Sequence, residues 1–155
     1  MAISFISRWY STLLQIKGYL MRVFVNGSFD LLHTGHLDLL FYAKSLGKHL
    51  HVAIDSDERI QELKGFDRPV NPLHIRKAIM HALKPVDSVS VFSTDEDLIN
   101  TIRGYSPDIM VKGSDWVGKK VIGSEYCGKV IFYERVNNES TTKIIQNFID
   151  RRQLL

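Results

Sequence analysis

A chain of 155 residues, 45% hydrophobic and 24% charged, has the length and balance of a single globular domain with a core of its own. Arg8 and Lys17 supply two of its three net positive charges, so the remaining body carries no dense basic stripe and duplex nucleic acid is excluded as an expected partner. The single cysteine, Cys127, excludes an intramolecular disulfide and a cysteine-built zinc cluster, and it fits a reducing, cytoplasmic setting.

The leader MAISFISRWYSTLLQIKGYL has no acid, and Arg8 and Lys17 interrupt its apolar positions, so it lacks a signal-peptide core. No run in the chain reaches the ~20 apolar residues of a membrane-spanning helix. Ile6, Trp9, Tyr10, Leu13, Leu14 and Leu20 share a helical face, which predicts an amphipathic extension over residues 1–20. Such an element packs on the body or on a second subunit, or makes a weak surface contact with a membrane as an anchor or targeting piece. The domain proper runs over 21–155, and Met21 offers a second start.

From Arg22 strand and helix signals alternate. RVFVNG (22–27) is a β-branched and aromatic run, and the following GHLDLLFYAKSLG (35–47) has Leu37, Leu40, Phe41 and Lys44 at helical spacing and Gly47 as its stop. HLHVAID (49–55) alternates as a second strand, SDERIQELKG (56–65) is a short helix opened by Ser56, and FDRPV is a loop. Asn71 as cap and Pro72 in the first turn predict a helix over NPLHIRKAIMHAL (71–83). VDSVSVF (86–92) is a third strand, followed by a helix over 94–105 capped by Thr94 with acids in its first turn. DIMVKG (108–113) and KVIFYE (129–134) complete five strands. STTKIIQNFIDRR (140–152) closes the chain as a helix whose Ile144, Ile145, Phe148 and Ile149 form an apolar face. Alternation of this kind predicts an α/β fold, a Rossmann-like three-layer sandwich with a five-stranded parallel sheet.

In such sheets ligands bind beyond the carboxyl ends of the strands, at the switch in strand order. Gly27 to Asp30, Asp55 to Asp57, Phe92 to Thr94, Lys112 to Asp115 and Arg135 to Thr142 are therefore expected to meet, in a set whose hydroxyls, amides and cations suit a phosphorylated ligand. NGSFDLLHTGH (26–36) lies at that end. His33 and His36 have no HExxH context and no neighbouring cysteine, so no metal site is expected there. Ordinary packed or solvated imidazoles account for His49, His51, His74 and His81. Gly27 and Gly35 allow a backbone approach that a side chain would block, and amides at the helix start favour an anion. The stretch is neither a P-loop nor a dinucleotide fingerprint.

His33-Thr34-Gly35-His36 after VNGSFDLLH resembles the HxGH signature of the cytidylyltransferase-like nucleotidyltransferases. The resemblance covers nearly the whole chain from Met21. AKSLGK (43–48) is similar to the family's AKxLGD, and KGFDRPVNPLHIRKAIMHALKPVD (64–87) is very close to bacterial heptose 1-phosphate adenylyltransferases. PDIMVKGSDW (107–116) and ESTTKII (139–145) resemble their later motifs, whereas DWVGK (115–119) leans toward glycerol-3-phosphate cytidylyltransferases. Asn138 and Glu139 depart from the family's glycine and small residue, which implies an altered nucleotide or acceptor preference. At 155 residues there is no room for the sugar kinase that the bifunctional heptose enzymes carry, so the resemblance implies that the kinase is a separate chain.

The resemblance implies transfer of a nucleoside monophosphate from a triphosphate to a phosphorylated sugar, with release of pyrophosphate. ATP with heptose 1-phosphate leads; CTP with glycerol 3-phosphate or a similar polyol phosphate is the alternative, and a nucleotide-binding module without turnover is an alternative of another class. It implies catalytic roles for His33, His36 and Lys44, the lysine as a point charge on phosphate. Nucleotide and phosphate binding fall to Asn26, Gly27, Ser28, Phe29, Asp30, Gly35, Lys112, Gly113, Ser140, Thr141 and Thr142. Arg76, Asp115 and Trp116 are assigned to acceptor or phosphate. Mg²⁺ is expected with the triphosphate, and a homodimer by family habit.

Overall fold

The β-branched runs form β1 (Arg22–Gly27), β2 (His49–Asp55), β3 (Ser88–Phe92), β4 (Ile109–Gly113) and β5 (Lys129–Tyr133) in the computed structural model, which describes residues 21–134 and 140–152. Each strand pairs parallel to its neighbour, in the order β3-β2-β1-β4-β5. The fold is the expected Rossmann-like α/β sandwich. The extension over 1–20 and the Asn138–Glu139 departure lie outside the described residues, and among the described residues no helix is long and apolar enough to cross a membrane.

The helices are α1 (Thr34–Ser45), α2 (Asp57–Lys64), α3 (Leu73–Ala82), α4 (Asp95–Tyr105) and α5 (Thr141–Arg152). The central strands are apolar on both faces because both are covered. Val23, Val25, Val52 and Ile54 point into a core shared with Leu40 and Ala43 of α1 and Met80 of α3. Phe24, Ala53 and Met110 point the other way, onto Leu98 and Ile102 of α4 and Val121.

Several element ends differ from the sequence expectation. The α3 helix begins at Leu73 with Pro72 as its cap, and Asn71 does not cap it. The Asn71 side chain donates to the Asp30 carbonyl, while the Leu73 amide is satisfied from a distance by Asp57 Oδ2 at 3.0 Å. α4 opens with the expected Thr94–Asp97 capping box. The apolar face expected of α5 is not buried: no residue of that helix is fully enclosed, and Phe148 is 62% exposed. Its start is what touches the body, through the Thr141 hydroxyl on the Leu31 carbonyl at 3.4 Å.

Candidate active site

β1 lies between β2 and β4, and the chain leaves it toward β2 through α1, so the strand order reverses at the β1–β4 gap. A cavity of about 420 Å³ opens there. The turn out of β1 is tight, with Phe29 in the left-handed region at φ 44°. A bulky residue held there is strained, and such strain tends to collect at functional sites. The buried Phe29 ring packs against His36 with centroids 5.1 Å apart. A Cβ on Gly27 would meet that ring at 3.4 Å, an ordinary contact, and its φ is not positive. The protein itself therefore does not demand glycine at position 27; any demand comes from the cavity side.

His33 is the cap residue of α1, in extended conformation, and its carbonyl accepts the His36 amide at 2.9 Å. The two imidazoles stack with centroids 3.8 Å apart and 27° between planes, and both line the cavity. The expected neighbours Asn26, Gly27, Ser28 and Phe29 line it too. Gly35 is buried in the first turn of α1 and is not part of the lining.

Two side chains near the loop are engaged by the protein, and the role expected of Asp30 falls to its backbone. The Asp30 carboxylate faces away from the cavity and accepts Arg68 Nε at 2.8 Å and the amides of Val70 and Asn71. Those hydrogen bonds hold its pKa below the ordinary value against the opposing effect of burial. Arg76 is also absent from the cavity lining. It is fully buried, and its guanidinium donates to the carbonyls of Asn71, Ser28 and Asp55 and to Asp57 Oδ1. With four of five donors spent on protein, it ties the ends of β1 and β2 to the start of α3. Both residues shape the site without entering it.

Lys44 is not part of the cavity lining. Eight residues past His36, it lies ~12 Å along the helix, and α1 runs back toward the opposite edge of the sheet. There its ammonium pairs with Asp87 at 2.5 Å and with the Lys48 carbonyl. Asp87 in turn accepts the Leu50 amide at the start of β2. Lys44 closes the bottom of the sheet.

The β4 side of the cavity carries Lys112, Gly113, Asp115 and Trp116. Lys112 is nearly enclosed; its ammonium lies 4.2 Å from the Trp116 ring centroid and donates to Asn26 Oδ1 at 3.2 Å. Burial pushes its pKa down to about 8, against the pull of Asp55 and Asp115. Ser140, Thr141 and Thr142 line the cavity at the start of α5. Ser140 Oγ accepts the Lys143 amide as a helix cap and Thr141 anchors the helix on Leu31. Two helix N-termini, of α1 and α5, thus face one chamber, which is the arrangement for a polyanion.

The β2 side joins Arg59, Lys64 and Arg68 to Asp55, which the strand-end map already placed at the ligand end. All four line the cavity. The Lys64 ammonium donates to Ser28 Oγ at 2.8 Å, and burial, followed by the Arg68 charge, lowers its pKa. Lys64 and Arg68 lie within the KGFDRPV stretch, and Asp55 is the last residue of a strand, so a signal for these existed. Arg59 sits mid-helix with an acid four residues earlier and reads as an ordinary surface pair.

Residues 24–147 match the cytidylyltransferase-like family profile. The chain is 47% identical over 123 residues to the bifunctional protein HldE of Campylobacter fetus, a match covering 79% of this chain and 27% of that protein. It is 40% identical over 140 residues to the HldE of Campylobacter concisus, covering 90% and 29%. The chain thus spans little more than a quarter of the length of these curated relatives. Among solved structures, the lipopolysaccharide core biosynthesis protein from Thermoplasma volcanium superposes with TM-score 0.65 at 26% identity, over 76% of this chain and 99% of that one. A protein of unknown function from Archaeoglobus fulgidus, 17% identical with TM-score 0.52, shares the fold.

Proposed function

This chain belongs to the cytidylyltransferase-like family and is a nucleotidyltransferase; from that premise we propose that it joins ATP to heptose 1-phosphate, giving ADP-heptose and pyrophosphate. The observation that carries the reading is the stacked His33–His36 pair at the start of α1, facing the start of α5 across the cavity. The triphosphate lies between these two helix starts. An acceptor phosphate oxygen attacks the α-phosphorus in line, the bond to the bridging oxygen breaks, and pyrophosphate leaves. The nucleophile is already an anion, so the protein's task is positioning and charge neutralisation.

In this reading His33 and His36 donate to the oxygens that gain charge, and Ser140, Thr141 and Thr142 with the α5 amides hold the outer phosphates. Lys112 faces the α-phosphate, and Lys64 with Arg68 takes the acceptor phosphate. A magnesium ion would arrive on the triphosphate, and Asp115 lines the cavity that would receive it. Asp115, with water, would complete the shell of such an ion, which supplies charge neutralisation on the leaving pyrophosphate. The reading includes a homodimer, which sedimentation of the full chain reads directly.

The similarity of Lys64–Asp87 to heptose 1-phosphate adenylyltransferases and the HldE relatives support ATP and the heptose acceptor. The DWVGK stretch supports a second reading, CTP with glycerol 3-phosphate. A pyrophosphate-release matrix crossing ATP and CTP with heptose 1-phosphate and glycerol 3-phosphate tests both. The fastest release is expected with ATP and heptose 1-phosphate. Release only with CTP and glycerol 3-phosphate would replace the first reading by the second, and nucleotide binding without release would leave a binding module.

A further inference from the structure

The cavity is lined by charges of both signs. Lys64, Arg68 and Lys112 supply cations. At the carboxyl ends of β2 and β3 it presents an acid. Asp55, in register with Phe92 across the β2–β3 pair, is 9% exposed and yet lines the cavity. One of its carboxylate oxygens accepts Arg59 Nε at 2.9 Å; the other takes no hydrogen bond from the described residues. Arg59 extends its other arm to Asp95 at 2.5 Å and lies over the Phe92 ring. Its charge is thereby spent, and the Asp55–Arg59–Asp95 group carries one net negative charge.

Lys64 and Lys112 act on the Asp55 carboxylate along with Arg59, so its charge is held in the chamber, and its open oxygen is left to accept a hydrogen bond from a bound molecule. Burial already raises the Asp55 pKa, with Arg59 the largest opposing influence. The donors that a phosphorylated sugar or polyol brings, and a bare phosphate lacks, are hydroxyls. A carboxylate only accepts, and its oxygens match neighbouring hydroxyls in pairs.

We propose that Asp55, steadied by Arg59, reads the hydroxyls of the acceptor and so selects a polyhydroxylated monophosphate over smaller phosphates. The proposal rests on the transfer reading above, with the nucleotide on the α5 and Trp116 side. It deepens that reading by giving the β2–β3 end of the cavity a specificity role.

The test is Asp55→Asn in the full chain, which keeps an oxygen for Arg59 and removes the charge. Kinetics are measured with heptose 1-phosphate or glycerol 3-phosphate, whichever the wild type uses, with inorganic phosphate as competitive inhibitor against the acceptor. The acceptor KM is expected to rise about ten-fold or more, since a site built for a hydroxyl loses its discrimination without the partner group. The Ki of inorganic phosphate is expected to hold or fall, because a repelling charge has gone, and the KM for nucleotide to stay put. Asp55→Ser serves as the second variant, with the same opposed movement expected. An unchanged acceptor KM, or equal rises in KM and Ki, would overturn the assignment while leaving the transfer reading intact. No pyrophosphate release by the wild type with either acceptor would sink the transfer reading, and this proposal with it.

Discussion

Lys112 is buried against Trp116 and Asn26 at the mouth of the β1–β4 gap, and its ammonium gives up its proton near pH 8. An anion at this point is held by charge below that pH and loses the cation above it. The value of kcat/KM for nucleotide is therefore predicted to fall as pH rises through about 8. In Lys112→Arg, whose charge persists, that limb should vanish. Stability moves the other way: the unfolded chain holds this proton up to its ordinary value of 10.5, so folding gains as pH rises between about 8 and 10.5. Lys44 gives the opposite kind of prediction. Its pair with Asp87 is a third exposed, so Lys44→Ala should cost about 1 kcal/mol or less in chemical denaturation. The same variant should leave kcat near the wild-type value; a loss of orders of magnitude would restore the lysine to the chemistry. His33 and His36 were legible because a glycine-bearing turn precedes a helix at the ligand end of a strand. Asp55 was legible as the last residue of a strand at the ligand end; Arg59 was not, because a mid-helix arginine gains meaning only once β2 and β3 place it on the cavity wall.

The loops of the site are set by a buried polar joint between elements. Arg76 of α3 reaches the carbonyls at the ends of β1 and β2, Asp57 of α2 caps α3, and Asp30 gathers the amides of Val70 and Asn71. Removing the guanidinium takes the Arg76 donor from Asp57 Oδ1 and from the carbonyls of Asn71, Ser28 and Asp55. Arg76→Met is predicted to lower unfolding free energy by about 3–5 kcal/mol, measured by denaturant titration. An Arg76→Met protein of wild-type stability with a raised acceptor KM would return the arginine to ligand duty. The alternation of strands and helices was readable from periodicity, and Thr94 with Asp97 spelled out the α4 cap. The α3 cap was not readable, because its partner lies sixteen residues earlier. The apolar face of α5 was readable from its spacing, but not its burial: Ile144 and Ile145 are half-buried, while Phe148 and Ile149 are exposed.

At the scale of the molecule, the strand order explains why residues far apart in sequence share one chamber. The sheet order β3-β2-β1-β4-β5 puts the strand carrying the HTGH turn in the middle, with α5 returning beside it. That order reverses beside β1, and ligands bind at such a switch beyond the strands' carboxyl ends, which is why the ligand end could be mapped before any coordinates. The central claim is direct transfer of a nucleotidyl group at this chamber, driven by His33 and His36. Removing one such donor is predicted to cost about 10²–10³ in kcat. The most direct measurement incubates the full chain with heptose 1-phosphate and ATP labelled at the α- or the γ-phosphate, for wild type and His36→Ala. The account predicts α-label in a sugar nucleotide, γ-label in pyrophosphate, and a fall in both rates by those orders of magnitude in a variant that still folds. γ-Label in a sugar phosphate, or wild-type rates in His36→Ala, would contradict it.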